Sequence, residues 1–152
     1  MHRHYVCIRV DDWAVMINSR DVISLHPKVQ KMCTELIASC KHVGIDILIT
    51  STYRDIESQN ALYAQGRTLP GKKVTNAKGG QSYHNYRVAF DFVPIVNGKA
   101  MWNDRALFVK VGELGEKLGL EWAGRWTKFP ELAHFQYTAG LKLADFQSGK
   151  NF

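Results

Sequence analysis

Residues 82–91 read Ser82-Tyr83-His84-Asn85-Tyr86-Arg87-Val88-Ala89-Phe90-Asp91, and a later stretch reads Glu131-Leu132-Ala133-His134. Together these stretches hold two histidines, an aspartate and a glutamate. Three nitrogen or oxygen ligands with one open position are typical of catalytic, rather than structural, zinc. A carboxylate that is not a ligand can then act as the general base. The two stretches therefore predict a hydrolytic metal site.

The ligands can converge only if the chain bends between His84 and Asp91. A continuous helix would separate them by ~10.5 Å along its axis, and a continuous strand would point them to opposite faces. We therefore expect a bend at Asn85-Tyr86-Arg87, followed by a strand from Val88 to Val93. Its core face would hold Val88, Phe90 and Phe92. The other face would hold Ala89, Asp91 and Val93, with the small Ala89 leaving room for a metal.

The second stretch needs a turn as well. Pro130 cannot lie inside a central strand, so Phe129-Pro130-Glu131 predicts a turn that leads into a strand from about Ala133 to Thr138. Such a turn lets Glu131 and His134 face one cavity. The residue types alone leave a structural alternative open, in which the histidines are hydrogen-bonded core residues. An unpaired buried carboxylate is costly, however, and this modestly favours a metal.

Longer stretches carry a resemblance to a known family. They are Tyr53-Arg54, Gln59-Asn60-Ala61-Leu62-Tyr63-Ala64-Gln65-Gly66-Arg67-Thr68 and Val74-Thr75-Asn76-Ala77-Lys78-Gly79-Gly80-Gln81-Ser82. With the Ser-x-His-x6-Asp and Glu-x-x-His signature, they closely resemble the L-alanyl-D-glutamate endopeptidase branch of the VanY-type, D-alanyl-D-alanine carboxypeptidase-like zinc peptidases. That branch contains phage endolysins and bacterial cell-wall hydrolases. The similarity runs from about Leu25 to Gln136 and continues weakly to Lys150.

The resemblance implies a role for each matching residue. His84, Asp91 and His134 become the ligands of one zinc ion, and Glu131 becomes the general base that later protonates the leaving amine. Arg54 would hydrogen-bond the substrate carbonyl or a nearby carboxylate. The expected substrate cleft is lined by Gln81, Ser82 and Trp126.

Two departures from the family pattern are visible. The family commonly has glycine where Arg87 stands, and arginine adopts positive φ less easily than glycine, so we expect the bend to differ there. The family also has a Gly-Gly-Asp-Trp stretch where this chain reads Ala123-Gly124-Arg125-Trp126. Arg125 in place of an acid leaves the metal site unaffected but puts the family's substrate subsite preference in question.

The function implied by the resemblance is a zinc-dependent peptidoglycan hydrolase that cuts the stem peptide between L-alanine and D-glutamate. A D,D-carboxypeptidase or dipeptidase with the same metal set stays open as an alternative. A non-catalytic zinc-binding module on the same fold is a second alternative, which the presence of Glu131 disfavours. A basic nucleic-acid-binding protein comes last, because no recognisable motif accompanies the basic residues.

The remaining pattern predicts mixed helices and hairpin-connected strands. Pro27 suits the start of a helix that ends at Gly44, and Asp55 can cap a helix over about 56–65. Asn97-Gly98 is a strong hairpin signal. We further expect these elements: a short strand at Tyr5–Val10, a buried strand over 45–50, a cleft-wall loop over 68–81, a helix capped by Asn103 or Asp104 and ended by Gly119, a strand over 120–123, and a final helical turn over 141–146.

This mixture indicates an α+β fold. The resemblance makes it the Hedgehog/D,D-peptidase type, in which a small antiparallel sheet carries the zinc and helices pack on one side. With 152 residues, 45% hydrophobic and 22% charged, we expect one domain over 1–152. Its core would span about 25–138, followed by a short helical tail, without a separate cell-wall-binding module. Cys7, Cys33 and Cys40 form no CxxC pattern and are expected to be core residues.

Composition also bears on partners and location. The net charge of +6 suits polyanions such as anionic wall polymers, although the basic residues are scattered as on an ordinary surface. No apolar run approaches the ~20 residues that span a bilayer, so we expect no membrane insertion. The start, Met1-His2-Arg3-His4-Tyr5, lacks the apolar core of a secretory signal. We therefore expect a monomer made in a host cytoplasm, as a phage endolysin that reaches the wall after release.

Overall fold

The structure is a computed structural model, and it describes residues 16–152. The strand expected at Tyr5–Val10 and the side chain of Cys7 lie outside the described residues. None of the described helices combines the length and apolar character that a bilayer crossing requires.

Helices and hairpin-connected strands are mixed along the chain in an α+β arrangement, as predicted. The elements are α1 (Pro27–His42), β1 (Asp46–Ser51), α2 (Ile56–Ala64), β2 (Ala89–Val96), β3 (Lys99–Ala100), α3 (Arg105–Lys117), β4 (Glu121–Trp122), β5 (His134–Gln136) and α4 (Leu143–Gln147). Short 3-10 helices lie at Val22–Ser24, Tyr83–Tyr86 and Ala123–Arg125.

The helix starts follow the capping residues expected from the sequence. Asp55 accepts a hydrogen bond from the Ser58 amide at 2.8 Å, and Asp104 accepts one from the Leu107 amide at 3.1 Å. Pro27 occupies the first position of α1. Each cap satisfies an amide that the helix itself leaves without a partner, so the local sequence determines where these helices begin.

The sheet is antiparallel, in the order β1-β2-β5-β4, with β3 paired to β2. Asn97 and Gly98 both have positive φ, 52° and 76°, which is the backbone of the two-residue hairpin turn predicted at this place. The expectation of a buried strand over 45–50 is wrong in one respect. Within the described residues β1 is paired on one side only, and Leu48 is 44% exposed.

The core lies between the sheet and the two longest helices, α1 and α3, which contact each other. The Phe92 ring packs 5.3 Å from the Phe108 ring of α3 and 5.2 Å from the Phe135 ring of β5. A Cβ added to Gly115 of α3 would lie 2.3 Å from the Phe135 ring. Glycine at this position therefore allows α3 to approach the sheet closely.

Side-chain alternation places the polar residues on the opposite face of the sheet. Because Phe92 and Phe135 point toward the helices, Asp91 and His134 point away from them, and these two residues are paired directly across β2 and β5. The predicted core face of β2 is confirmed. Ala89 and Val93, on the other face, are also fully buried, and the room for a metal beside Ala89 stays a prediction.

The two cysteines that the structure describes are core residues. Cys33 and Cys40 are buried and free, and burial raises the pKa of their thiols to about 12 and about 11. Thiols with such pKa values stay protonated near neutral pH and are inert. This confirms the structural role expected for them.

Candidate metal centre

The first ligand stretch bends as predicted. Residues Tyr83–Tyr86 form a 3-10 helix, and Ser82 caps it by accepting a hydrogen bond from the His84 amide at 3.2 Å. Arg87 then adopts the left-handed region, with φ 65°. The bend brings His84 back toward Asp91.

Arg87 takes the conformation that glycine would take, so the expectation of a different bend is wrong. A non-glycine residue in this region costs about 1–2 kcal/mol. The Arg87 guanidinium donates a hydrogen bond to the Ser24 carbonyl at 2.7 Å and lies 3.8 Å from the centroid of the Tyr53 ring. These contacts offset the backbone strain.

His84, Asp91 and His134 offer ligand atoms that all lie within 4.8 Å of one another. Asp91 Oδ1 is 3.2 Å from His84 Nε2 and 3.1 Å from His134 Nδ1. Bonds of ~2.1 Å in a tetrahedral arrangement would put neighbouring ligand atoms ~3.4 Å apart. The cluster is therefore close to the size that a metal ion of this kind requires, and it could hold one.

Each histidine ring is oriented by a hydrogen bond from the ring nitrogen that does not face Asp91. His84 Nδ1 donates to the Thr52 carbonyl at 2.8 Å, and His134 Nε2 donates to Gln136 Oε1 at 2.9 Å. The nitrogens that face Asp91 are then Nε2 of His84 and Nδ1 of His134. A ligand histidine usually has this kind of partner behind it, and neither Thr52 nor Gln136 was among the residues predicted for the site. The available signal for Gln136 was its even spacing from His134 along a strand.

The charges of the cluster support one another. Burial by itself raises the pKa of the Asp91 carboxyl, but the His84 charge and hydrogen bonds from both histidines outweigh burial and hold that pKa well below its ordinary range. Burial by itself lowers the pKa of His134, but the hydrogen bond and charge of Asp91, with Glu131, raise it above its ordinary value. Asp91 is therefore a carboxylate, which is the form that binds a cation.

Glu131 lies beside the cluster on the predicted turn. Its Oε1 is 3.8 Å from His134 Nδ1, and its side chain is 55% exposed. The strand that follows is His134–Gln136 rather than 133–138. It is short because β4 has two residues and β2 begins opposite Gln136. Glu131 is thus near the metal-binding atoms yet open to solvent and substrate.

The predicted site residues line one cavity of about 410 Å³. They are Arg54, Gln81, Ser82, His84, Asp91, Trp126, Glu131 and His134. The loop over 68–81 forms part of the wall, as expected, through Val74, Thr75 and Ala77. The structure brings every candidate together, while their individual roles stay predictions.

A second hollow of about 450 Å³ continues from the first. The two share Asp91, Glu131 and His134, and the second extends to Lys73 and Phe129. Phe129 is 71% exposed. The cluster therefore lies where the two hollows meet.

Arg54 follows β1 and precedes α2, as predicted. Its guanidinium donates to Gln59 Oε1 at 2.8 Å and to Ser51 Oγ at 3.0 Å. Arg54 Nε is buried and has no hydrogen-bond partner among the described residues. Burial lowers the pKa of Arg54, whereas the charges of Asp91 and Glu131 act in the opposite direction. The guanidinium is held in place at the cavity wall with hydrogen-bonding capacity left over.

The second departure from the family pattern faces away from the cavity. Arg125 forms a two-point ion pair with Glu116 of α3, with both N–O distances 3.0 Å, and it does not line the cavity. Trp126 does line it, whereas Trp122 is buried and donates to the Leu132 carbonyl at 2.8 Å. Of these two tryptophans, Trp126 therefore lines the cleft and Trp122 belongs to the core.

Comparison with known sequences places these residues in context. The D-alanyl-D-alanine carboxypeptidase family model matches residues 75–137, a range that contains all four of His84, Asp91, Glu131 and His134. The peptidoglycan L-alanyl-D-glutamate endopeptidase CwlK of Bacillus subtilis (strain 168) is 38% identical to this chain over 121 residues, which cover 74% of this chain and 72% of CwlK.

Solved structures share the fold. The L-Ala D-Glu endopeptidase ChiX of Serratia marcescens superimposes with a TM-score of 0.61 at 15% identity, covering 91% of this chain and 98% of ChiX. The vancomycin resistance D,D-pentapeptidase VanY, solved with Zn(II), superimposes with a TM-score of 0.58 at 13% identity, covering 82% and 78%. At such low identity these likenesses show the fold, which is the type expected from the sequence.

Proposed function

Because this chain belongs to the VanY-like, D-alanyl-D-alanine carboxypeptidase-type metallopeptidases, in the branch of the peptidoglycan L-alanyl-D-glutamate endopeptidases, we propose that it cuts the L-alanyl-D-glutamate bond of the stem peptide with one zinc ion. The observation that carries the proposal is the convergence of His84, Asp91 and His134 next to Glu131 in an open groove. The identity with CwlK supports the choice of bond.

The donor set suits zinc. Two imidazole nitrogens and one carboxylate oxygen, with a fourth position left for water or substrate, are a typical catalytic zinc set. His84, Asp91 and His134 would hold the ion. When bound, zinc supplies a Lewis acid that lowers the pKa of its water from 15.7 to ~7 and so provides a nucleophile at neutral pH.

Glu131 has the position and exposure of a general base. Its carboxylate lies 3.8 Å from Nδ1 of His134 without a direct hydrogen bond to it, so it would be free to accept a proton from a water at the cluster. The same carboxyl can later protonate the departing amine. Arg54 lines the same cavity and would donate a hydrogen bond to the oxygen on which charge develops.

The shape of the groove favours an endopeptidase over the carboxypeptidase alternative. A carboxypeptidase needs a closed pocket for a terminal carboxylate, whereas here the cluster lies where two hollows meet. A stem peptide could therefore extend in both directions from the cut bond. One hollow would take the L-alanine side and the other the D-glutamate side.

Replacement of Glu131 by Gln tests the assigned base. Glu131→Gln should bind zinc with the stoichiometry of the original protein and lose about a hundredfold to ten thousandfold in kcat, measured on purified peptidoglycan. His84→Ala is the contrast. It should weaken zinc binding about a hundredfold or more. Structural sites with four protein ligands bind zinc with ~10–16 kcal/mol, which is about 2.5–4 kcal/mol for each ligand.

The products distinguish the alternatives. Mass spectrometry of digested walls should find new L-alanine carboxyl ends and D-glutamate amino ends, and a chelator should abolish both. Release of terminal D-alanine instead would mean a D,D-carboxypeptidase. Full activity of Glu131→Gln would remove the assigned base, and zinc binding without any hydrolysis by the original protein would mean a non-catalytic module.

The biological setting stays a prediction from the sequence. We propose a phage endolysin acting on the wall after release from the cytoplasm. Two assays would test this: lysis of cells when the purified protein is added from outside, and lysis when the protein is expressed inside cells together with a membrane-permeabilising protein. Attraction to anionic wall polymers through the net charge of +6, a single domain over 1–152 and a monomeric state are further proposals. Salt-dependent wall binding and sedimentation would test them.

A further inference from the structure

A chain of hydrogen bonds begins at Nε2 of His134, the ring nitrogen that does not face Asp91. His134 Nε2 donates to Gln136 Oε1 at 2.9 Å, and Gln136 Nε2 donates to Glu121 Oε1 at 3.3 Å. Trp126 Nε1 donates to the other carboxylate oxygen, Glu121 Oε2, at 2.8 Å. We call His134, Gln136, Glu121 and Trp126 the relay.

The direction of the relay is determined by its far end. An ionised carboxylate can only accept hydrogen bonds, and an indole N–H can only donate. Gln136 must therefore turn its NH2 group toward Glu121 and its carbonyl oxygen toward His134. That oxygen needs a donor, so the proton of a neutral His134 lies on Nε2 and the lone pair lies on Nδ1, which faces Asp91.

The fold holds the relay in register. Glu121 and Gln136 are directly paired across β4 and β5, and Gln136 is almost fully buried. The Trp126 ring lies 5.6 Å from the His134 ring, so the last member of the relay returns to the cavity wall beside the first. A buried amide with this little freedom is expected to keep one orientation.

We propose that Gln136 and Glu121 are positioning residues that fix Nδ1 of His134 as its metal-binding nitrogen. This inference rests on the proposed metal function of the site. Glu121 does not line the cavity, and Gln136 lines it with its carbonyl oxygen bonded to His134. Each residue acts on the metal-binding nitrogen through the next member of the relay. Removal of a comparable partner behind a ligand histidine typically weakens metal binding about 10- to 100-fold.

Single variants measure the two links. Gln136→Met keeps the length of the side chain but removes the acceptor, and zinc affinity should fall about 10- to 100-fold. Glu121→Gln keeps the shape of the side chain, but the new amide can donate as well as accept hydrogen bonds. The Gln136 amide can then flip its oxygen and nitrogen, so zinc affinity should fall by a smaller factor. Adding Glu121→Gln to Gln136→Met should cause no further loss, because Glu121 acts only through Gln136.

An exchange of the two residues gives the sharpest test. In the double variant Glu121→Gln/Gln136→Glu, residue 136 again offers an acceptor to His134, and residue 121 can donate to it while accepting from Trp126. Zinc affinity should recover to within about threefold of the original value, against the 10- to 100-fold loss expected for a broken link. Glu35→Gln, at an exposed position of α1, is the matched control and should change nothing.

The measurements separate positioning from stability. Zinc dissociation constants come from competition with a chelating dye, melting temperatures of the metal-free proteins report stability, and 15N NMR of the zinc-loaded proteins shows which ring nitrogen of His134 is protonated. Nε2–H in the original protein and its loss in Gln136→Met support the proposal. Unchanged zinc affinity in Gln136→Met would overturn it. Additive losses of zinc affinity in Glu121→Gln/Gln136→Met would also overturn it. Absence of zinc binding by the original protein would instead refute the proposed function.

Discussion

The two histidines of the metal centre are held in different ways. His84 donates its second nitrogen to a backbone carbonyl, that of Thr52, whereas His134 donates to the side chain of Gln136. A backbone acceptor is present whatever residue occupies its position. A side-chain acceptor depends on its own identity and on its neighbours. We call His84 with the segments that hold it the His84 half, and His134 with β5 and the elements packed on it the His134 half. The His84 half should respond to changes in backbone conformation, and the His134 half should respond to changes in individual side chains.

The backbone of the His84 half is itself held by one side chain. Asn85 accepts hydrogen bonds from the amides of Gly80 and Ser82 at 2.9 and 3.2 Å, and it donates to the Arg54 carbonyl at 2.8 Å. These bonds connect the loop before the 3-10 helix to the segment after β1. The His134 half has no need of such loop contacts, because β5 is paired with strands on both sides.

The largest effect is expected from crowding the His134 half. In Gly115→Ala the new Cβ would lie 2.3 Å from the Phe135 ring, so α3 must move away from β5. Such overpacking costs about 1–3 kcal/mol, measured by urea denaturation of the metal-free protein. Lys110→Ala, at an exposed position of the same helix, is the control and should be close to neutral. Equal stability of the two variants would mean that α3 and β5 are not in close contact.

A smaller effect is expected in the His84 half at Arg87. Arg87→Ala keeps the left-handed backbone but loses the hydrogen bond to Ser24 and the contact with Tyr53, so it should destabilise the protein by about 1 kcal/mol. Arg87→Gly loses the same contacts but relieves about 1–2 kcal/mol of backbone strain. Gly should therefore be more stable than Ala in thermal melts. The reverse order would show that position 87 is not strained.

The smallest effect is a pH trend that separates metal-free from zinc-loaded protein. The pKa of His134 is raised above its ordinary value of 6.5. Its contribution to folding is therefore fully present below that value and is lost as pH rises through the raised pKa. Zinc binding has the opposite dependence, because it displaces a proton. Between pH 6 and 8 the metal-free melting temperature should fall slightly while the increase caused by zinc grows. A metal-free trend that persists in His134→Asn would assign it to another group.

Much of the candidate site could be predicted from the sequence. The spacing of His84 and Asp91 requires a bend, and Pro130 requires a turn. The resemblance to the zinc peptidases then implied that the two stretches converge on one metal. The caps at Asp55 and Asp104 and the hairpin at Asn97-Gly98 were predictable from local rules. Each depends on a few neighbouring residues and their backbone preferences.

Other features depended on contacts between distant segments. Among the described residues β1 lies at one end of the sheet and its Leu48 is exposed. Strand β5 is short because β4 has two residues and β2 begins opposite Gln136. Arg125 pairs with Glu116 of α3 instead of facing the cleft. Arg87 adopts a conformation that its residue type disfavours because Ser24 and Tyr53 are nearby. No local pattern contains these neighbours.

The sequence alone determined the chemistry of the donors: two imidazoles and a carboxylate of suitable spacing, with a second carboxylate close to the last histidine. The tertiary structure decided which nitrogen of each histidine faces Asp91, since Thr52 and Gln136 reach the rings only after β1, β2, β4 and β5 are in register. The physical reason is range. Residue type and backbone preference act over a few residues, whereas hydrogen-bond direction at a buried ring is determined by whichever partner the fold places behind it.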